Sequence, residues 1–122
     1  MARKLDADEV EFSIECLEED QQVRGNAQAS GDDEQDKYAE DMIIEQLENG
    51  NRWAWCTVKV TARFEDLEGH DYLGCCSYSD EEEFKRGGYW EDMKARALNE
   101  LQEKFDRICS LGRNKRKKVK RD

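Results

Sequence analysis

The sequence has one histidine, no C-x-x-C pair and none of the short motifs that mark common active sites. A structural zinc site takes four Cys or His ligands at characteristic spacings, which His70 and the scattered cysteines do not supply. A calcium loop of the D-x-D-x-D-G kind, a glycine-rich phosphate loop and a G-x-S-x-G turn are also missing. We therefore predict a protein that is not an enzyme and that uses no metal or cofactor.

Long apolar runs are missing as well. No segment is apolar enough over its length to cross a bilayer, and the residues that follow Met1–Leu5 are acidic. This predicts a cytoplasmic protein without a membrane anchor or export signal. The five cysteines are odd in number, and most fall where the patterns below predict burial. We therefore expect reduced, structural thiols rather than a disulfide framework.

Charge is plentiful but unevenly distributed. The chain has 122 residues and a net charge of −10. Residues 113–122 contain seven of the 20 Lys and Arg and one of the 30 Asp and Glu, which leaves residues 1–112 with a net charge of −16. We predict one acidic domain over residues 1–112 and a basic, disordered tail over residues 113–122. The acidic part favours basic partners and repels nucleic acid, whereas the tail does the reverse.

The clearest pattern predicts a β-hairpin over residues 53–78. In its first strand the even positions are apolar, and they are predicted to face the core because successive side chains of a strand point to opposite faces. The turn is predicted within Glu65–His70, either with Glu68–Gly69 at its tip or as a longer loop. Even positions of the first strand then pair with odd positions of the second. The predicted core positions are Ala54, Cys56, Val58, Val60, Ala62 and Phe64, with Leu73, Cys75 and Ser77 from the second strand.

The same alternation predicts an outer face rich in aromatic side chains, which we call the aromatic platform. Such a face can stack unpaired bases, with Lys59 and Arg63 near phosphate, or form the centre of a protein interface. Alternatively, the N-terminal segment, a long loop or a second copy of the chain covers it. Because the acidic charge opposes a polyanion, a protein interface is favoured over base stacking. The platform comprises Trp53, Trp55, Lys59, Arg63, Tyr72 and Tyr78, beside Gly74 and Cys76.

Other elements precede the hairpin. Val10–Cys16 alternates as a half-buried strand, and residues 18–30 lack any apolar period and predict a loop, in which Arg24 pairs with Glu18 or Glu19. A helix capped by Ser30 or Asp33 follows and stops at Asn49–Gly50. Its predicted buried stripe is Tyr38, Met42, Ile43, Ile44 and Leu47, and its predicted acidic face is Glu34, Asp41, Glu45 and Glu48.

After the hairpin, Ser79–Phe84 predicts a capped turn, and a strongly amphipathic helix follows that ends at Gly112. The order β-α-β-β-α predicts an α+β fold: a three-stranded antiparallel sheet with two helices on one face. The apolar stripe of the last helix comprises Trp90, Met93, Ala97, Leu98, Leu101, Phe105 and Ile108.

Three short stretches carry a resemblance: Arg24-Gly-Asn-Ala27, Trp53-Ala-Trp-Cys56 and Leu67-Glu-Gly-His-Asp-Tyr-Leu-Gly-Cys-Cys76. They resemble a group of small proteins encoded by tailed bacteriophages and prophages, over about residues 10–105. The resemblance implies a bacterial cytosol and a small accessory product. Acidic proteins of this class often bind and block host factors, sometimes by imitating nucleic acid.

Three functional hypotheses follow. The first is a phage accessory protein that binds a host protein through the aromatic platform, through the acidic helical surface of Asp41, Glu45 and Glu48, or through both. The second is a nucleic-acid-binding module that uses the platform with the tail. The third is a self-associating protein whose open sheet face forms a homodimer. In the second hypothesis the tail contributes Lys115, Arg116, Lys117, Lys118, Lys120 and Arg121.

Overall fold

The computed structural model describes residues 3–27 and 33–121, and the side chains of residues 3–27 and 34–111. Three strands form one antiparallel sheet in the order β1-β2-β3, with β2 in the centre. The fold class is therefore α+β, as the sequence predicts. The elements are β1 (Glu11–Leu17), α1 (Asp33–Glu48), β2 (Cys56–Phe64), β3 (Leu67–Cys76), α2 (Glu81–Arg86) and α3 (Tyr89–Arg121), with 3-10 turns at Ala7–Glu9 and Arg52–Ala54.

The predicted parity of the first hairpin strand is confirmed, but the predicted tip of the hairpin is wrong. Val58 and Val60 are fully buried. The connection consists of Glu65 and Asp66 alone, with Glu65 in the left-handed region at φ 54°. Gly69 instead lies inside β3, where a Cβ would collide with backbone atoms of α3. In a sequence, a glycine that allows close backbone contact inside a strand cannot be distinguished from a glycine in a turn. The turn was therefore predicted at the wrong position.

The alternation of β3 is interrupted at its end. Cys75 has φ 53° and is exposed, whereas Cys76 is buried. The prediction that Cys75 points inward and Cys76 outward is therefore wrong. A left-handed residue breaks the two-residue period of a strand, and no sequence pattern indicated one at a cysteine.

The chain divides into two compact units. The first comprises Met1–Ser13, Val60–Asp71 and Asp92–Asp122. Here the predicted stripe of α3 is confirmed at its centre, because three of its side chains are fully buried: Met93, Ala97 and Leu101. Phe64 and Phe105 meet edge to face at 5.8 Å. The backbone N–H of Leu5 donates to Gln102 Oε1 at 2.7 Å. This hydrogen bond fastens the N-terminal segment to α3.

The prediction that α3 ends at Gly112 is wrong, because the helix continues to Arg121 through the segment expected to be a disordered tail. The side chains of that segment lie outside the described residues. Ile108, predicted to be buried, is 52% exposed. The helix thus extends past the residues on which its stripe packs.

The second unit comprises Ile14–Lys59 and Tyr72–Glu91. Cys56, Val58 and Phe84 form its buried centre. Helix α1 ends as predicted, because Gly50 has φ 95° and the N–H groups of Gly50 and Asn51 donate to the carbonyls of Leu47 and Gln46. This is the double hydrogen bond of a glycine C-cap. Of the two residues predicted to cap the start of α1, Ser30 lies outside the described residues, and Asp33 is the first helical residue.

The segment predicted as a turn after the hairpin contains the short helix α2. Asp80 caps it, since its carboxylate accepts the N–H of Glu83 at 2.8 Å. Within the described residues, no helix has the length and apolar character required to span a membrane.

Candidate protein-interaction surface

Trp55 does not lie on an exposed face. Its side chain is only 7% exposed, and its indole N–H donates to the carbonyl of Gln21 at 2.8 Å. Gln21 belongs to residues 18–27, which we call the strap. Val23 of the strap is buried as well. Of the interpretations that the sequence left open, cover by the long loop is the one confirmed for Trp55.

Glu19 holds the strap in place. One carboxylate oxygen, Oε1, accepts the Thr57 hydroxyl at 3.0 Å and the N–H of Cys75, and Oε2 accepts the N–H of Gln21 at 2.9 Å. The backbone N–H donors of Gln21 and Cys75 lower the pKa of Glu19, because they stabilise the ionised carboxylate. The sequence offered no signal for this role, since Glu19 is one of many acidic residues in a polar loop.

Trp53 and Tyr78 pack on Phe84 of α2 instead of forming an open surface. The ring of Trp53 lies 5.9 Å from that of Phe84, and the ring of Tyr78 lies 5.1 Å from it, edge to face. The N–H of Tyr78 donates to the carbonyl of Trp53 at 2.7 Å. Burial raises the pKa of the Tyr78 phenol. Both side chains therefore serve the packing of the second unit.

Only part of the predicted platform remains exposed. The Lys59 ammonium lies 5.9 Å from the centre of the Tyr72 ring, and Tyr72 is 56% exposed. Arg63 pairs with Glu68 at 3.2 Å, across the hairpin. The prediction of one continuous aromatic platform is wrong, because three of its four rings are covered. Trp53 and Tyr78 pack on Phe84, and Trp55 lies under the strap. A single exposed tyrosine does not provide successive stacking surfaces for bases.

His70 belongs to a polar cluster that can be compared with a catalytic triad. Its Nδ1 lies 3.0 Å from the Thr61 hydroxyl, and its Nε2 lies 3.7 Å from a carboxylate oxygen of Glu68. The second distance is too long for a hydrogen bond, and Thr61 is buried. Nucleophilic catalysis requires both hydrogen bonds and an accessible hydroxyl. The predicted position of His70 at the hairpin tip is wrong, because His70 lies inside strand β3.

Three cysteines of the second unit influence one another. Burial is the main cause that raises the pKa of Cys56, and a hydrogen bond with Cys16 adds to it. Burial also raises the pKa of Cys76 to about 11. Protonated, buried thiols react slowly, since the thiolate is the nucleophile and the metal ligand. Within the described residues no group of Cys, His, Asp and Glu has the arrangement of a metal site.

The buried side of helix α1 contains acidic residues that the sequence pattern did not indicate. Asp36 and Glu40 are buried. The Glu40 carboxylate accepts the N–H of Gly25 at 2.6 Å and lies 3.5 Å from Arg24. Arg24 also pairs with Asp41, so the prediction that it pairs with Glu18 or Glu19 is wrong. The spacing of four between Asp36 and Glu40 could have indicated that they share one face of the helix. That this face is buried depends on donors of the strap, which the pattern of the helix does not reveal.

The opposite side of α1 exposes two large apolar side chains. Tyr38 is 68% exposed and Met42 is 41% exposed, although both were predicted to be buried. The predicted acidic residues Asp41, Glu45 and Glu48 are exposed, as expected. These five residues recur at spacings of three or four, which places them on one side of the helix. We call them the α1 outer face.

A cavity of about 310 Å³ lies next to this face. Met42 belongs to both, and Tyr78 contributes an aromatic wall. The Glu83 carboxylate in the lining is held by Ser79, whose N–H and hydroxyl donate to it at 3.1 Å and 2.9 Å. The lining also includes Ile43, Gln46, Asn51, Ala54, Ser77 and Ser79. The cavity can therefore receive a mainly apolar side chain with a polar end.

The predicted basic site of the tail, Lys115, Arg116, Lys117, Lys118, Lys120 and Arg121, has its side chains outside the described residues. Comparison of the sequence with protein-family models gives no match, and no curated protein or solved structure is significantly similar to the chain.

Proposed function

We propose that the protein is a non-enzymatic phage accessory protein that binds a host protein, with the α1 outer face as its docking surface. The observation that carries the proposal is the exposure of Tyr38 and Met42 among three carboxylates. Protein interfaces obtain most of their binding energy from a few large side chains at the centre of a polar rim. The α1 outer face combines two large side chains with surrounding polar residues on one side of a helix.

The charge of the surface favours a basic partner. Asp41, Glu45 and Glu48 lie around the two apolar side chains, and residues 1–112 carry a net charge of −16. A field of this sign accelerates the approach of a positively charged protein surface. A basic surface that normally holds nucleic acid would meet these carboxylates in place of phosphates. The cavity beside Met42 offers a place for one anchoring side chain of the partner.

The first test uses immobilised full-length protein and a bacterial lysate, with retained proteins quantified by mass spectrometry. The double variant Tyr38→Ala/Met42→Ala is expected to retain at least about tenfold less of a specific partner, because hot-spot truncations cost 2 kcal/mol or more. The control is Tyr72→Ala, which removes an exposed tyrosine of β3 instead of α1 and should retain the partner normally. A partner retained equally by all three proteins would contradict the proposed surface.

A second test addresses the chemistry of the partner. The variant Glu45→Gln/Glu48→Gln keeps the size of both side chains and removes two charges. We expect weaker retention, a reduced dependence on salt, and competition by DNA if the partner's surface is a nucleic-acid site. Retention of the same partner that is indifferent to salt, to DNA and to these substitutions would exclude nucleic-acid mimicry.

A further inference from the structure

The apolar stripe of α3 continues beyond the residues that cover it. Leu101 is fully buried and Phe105 is half-buried, whereas Ile108 is 52% exposed and Leu111 is 55% exposed. The spacings of four, three and three keep these residues on one side of the helix. Two large apolar side chains at the protruding part of an amphipathic helix are typical of a helix that packs on another helix.

The charges along α3 are divided at the same point. Residues 113–121 contain seven Lys and Arg and no Asp or Glu. The turns before Ile108 contain three carboxylates and two cations, and residues 1–112 as a whole carry a net charge of −16. A partner helix that covers Ile108 and Leu111 therefore meets cations on one side of them and an acidic protein on the other.

We propose that a second copy of this chain covers the exposed stripe, with the two α3 helices antiparallel and crossing near Cys109. In this arrangement Ile108 of each copy lies opposite Leu111 of the other. The basic residues 113–121 of each copy then run beside residues 98–106 of the other, which contain three carboxylates and one lysine. A parallel arrangement would instead place seven cations of one copy beside seven of the other, and like charges at such spacing repel. The interface is separate from the α1 outer face.

Nucleic acid is the competing occupant of the basic end, and the apolar residues distinguish the two. Sequence-blind binding to phosphates uses cations and needs no exposed isoleucine or leucine beside them. Pairing of two helices needs both the apolar side chains and the complementary charges. The chain combines these two features within residues 100–121.

Sedimentation equilibrium of the full-length protein over a range of concentrations and salt tests the proposal. We expect a monomer–dimer equilibrium that weakens with added salt. Leu111→Asp should weaken the dimer at least about tenfold, because burial of one leucine from each copy is lost. Since Leu111 is exposed, the circular dichroism and melting temperature of that variant should match the wild type at low concentration. The control Tyr38→Asp, on α1, should dimerise normally.

A short bis-maleimide reagent tests the register. In a Cys75→Ser background, which removes the exposed thiol of β3, Cys109 should link two copies because it lies near the crossing point. Replacing Cys109 by Ser should abolish the link. A chain that is monomeric at every concentration, a dimer unaffected by Leu111→Asp, or a monomer whose basic end binds a DNA oligonucleotide with Leu111→Asp having no effect would each overturn the proposal.

Discussion

The helices α1 and α3 are both amphipathic in sequence, but only α3 fully buries part of its predicted apolar stripe. In α3, Met93, Ala97 and Leu101 pack on an apolar surface, so hydrophobic periodicity and burial coincide. In α1, Tyr38 and Met42 point to solvent while Glu40 points inward. The difference comes from what each helix meets. The strap presents a backbone N–H and the Arg24 guanidinium to α1, and these donors require carboxylates.

The contrast between α1 and α3 indicates which apolar side chains contribute little to the stability of the fold. A large apolar residue that stays exposed while a carboxylate on the same helix is buried contributes little to the core. Tyr38 and Met42 of the α1 outer face meet this condition, and Ile108 and Leu111 of α3 are exposed as well.

The sharpest contrast uses the same substitution in both helices. Met93→Ala in α3 should lower the free energy of unfolding by about 2–5 kcal/mol, because it leaves a cavity at a fully buried site. Met42→Ala in α1 should change it by less than about 0.5 kcal/mol, as exposed substitutions usually do. Chemical denaturation of the two variants measures both values. Equal losses would show that Met42 belongs to the core.

A second contrast uses glycine. Gly69→Ala should destabilise the protein by about 1–3 kcal/mol, since its new methyl group meets backbone atoms of Ala97 and Leu101 that cannot move separately from α3. Gly88→Ala is the control, because a Cβ there meets nothing within 4 Å. Thermal unfolding of the two variants should therefore differ clearly. A stable Gly69→Ala variant would place α3 farther from β3.

The inward carboxylate of α1 provides a third test. Glu40→Ala should cost about 1–3 kcal/mol, because it leaves the N–H of Gly25 without its acceptor and Arg24 without one of its two carboxylates. Glu45→Ala removes an exposed carboxylate from the same helix and should have an effect within about 0.5 kcal/mol. Urea unfolding distinguishes them. The reverse order of effects would mean that α1 is rotated about its axis.

The smallest expected effect is a dependence on pH. The pKa of Glu19 is lowered in the folded chain from an ordinary value of 4.5, so the folded state holds this carboxylate ionised more strongly than the unfolded chain does. The resulting stability is complete above pH 4.5 and is lost as the pH falls through the lower folded value. We expect the fluorescence of Trp55 to report opening of the strap in that acidic range.

The variant Glu19→Gln is the control for this experiment, because it cannot ionise and should remove this component of the acid transition. An unchanged transition in Glu19→Gln would assign the opening to another carboxylate.

The pattern of the sequence was sufficient for the fold class, the parity of the first hairpin strand and the centre of α3. These features depend on periodicity, which one strand or helix displays by itself. The exposed Cys75, the strand glycine Gly69 and the inward Glu40 were not predictable in this way. Each depends on an atom from a distant part of the chain or on one unusual backbone angle. The burial of Trp55 was not predictable either, because the strap that covers it is a loop without any apolar period.

Hydroxyl-radical footprinting of the full-length protein, with mass spectrometry of each oxidised residue, compares the solvent access of the two regions in one experiment. The claim is that α1 presents an accessible apolar surface and that Trp55, just before β2, is covered by the strap. The account predicts rapid oxidation of Met42 and Tyr38 and slow oxidation of Met93 and Trp55. Rapid oxidation of Trp55 together with protection of Met42 would contradict it and restore the sheet face as the exposed surface.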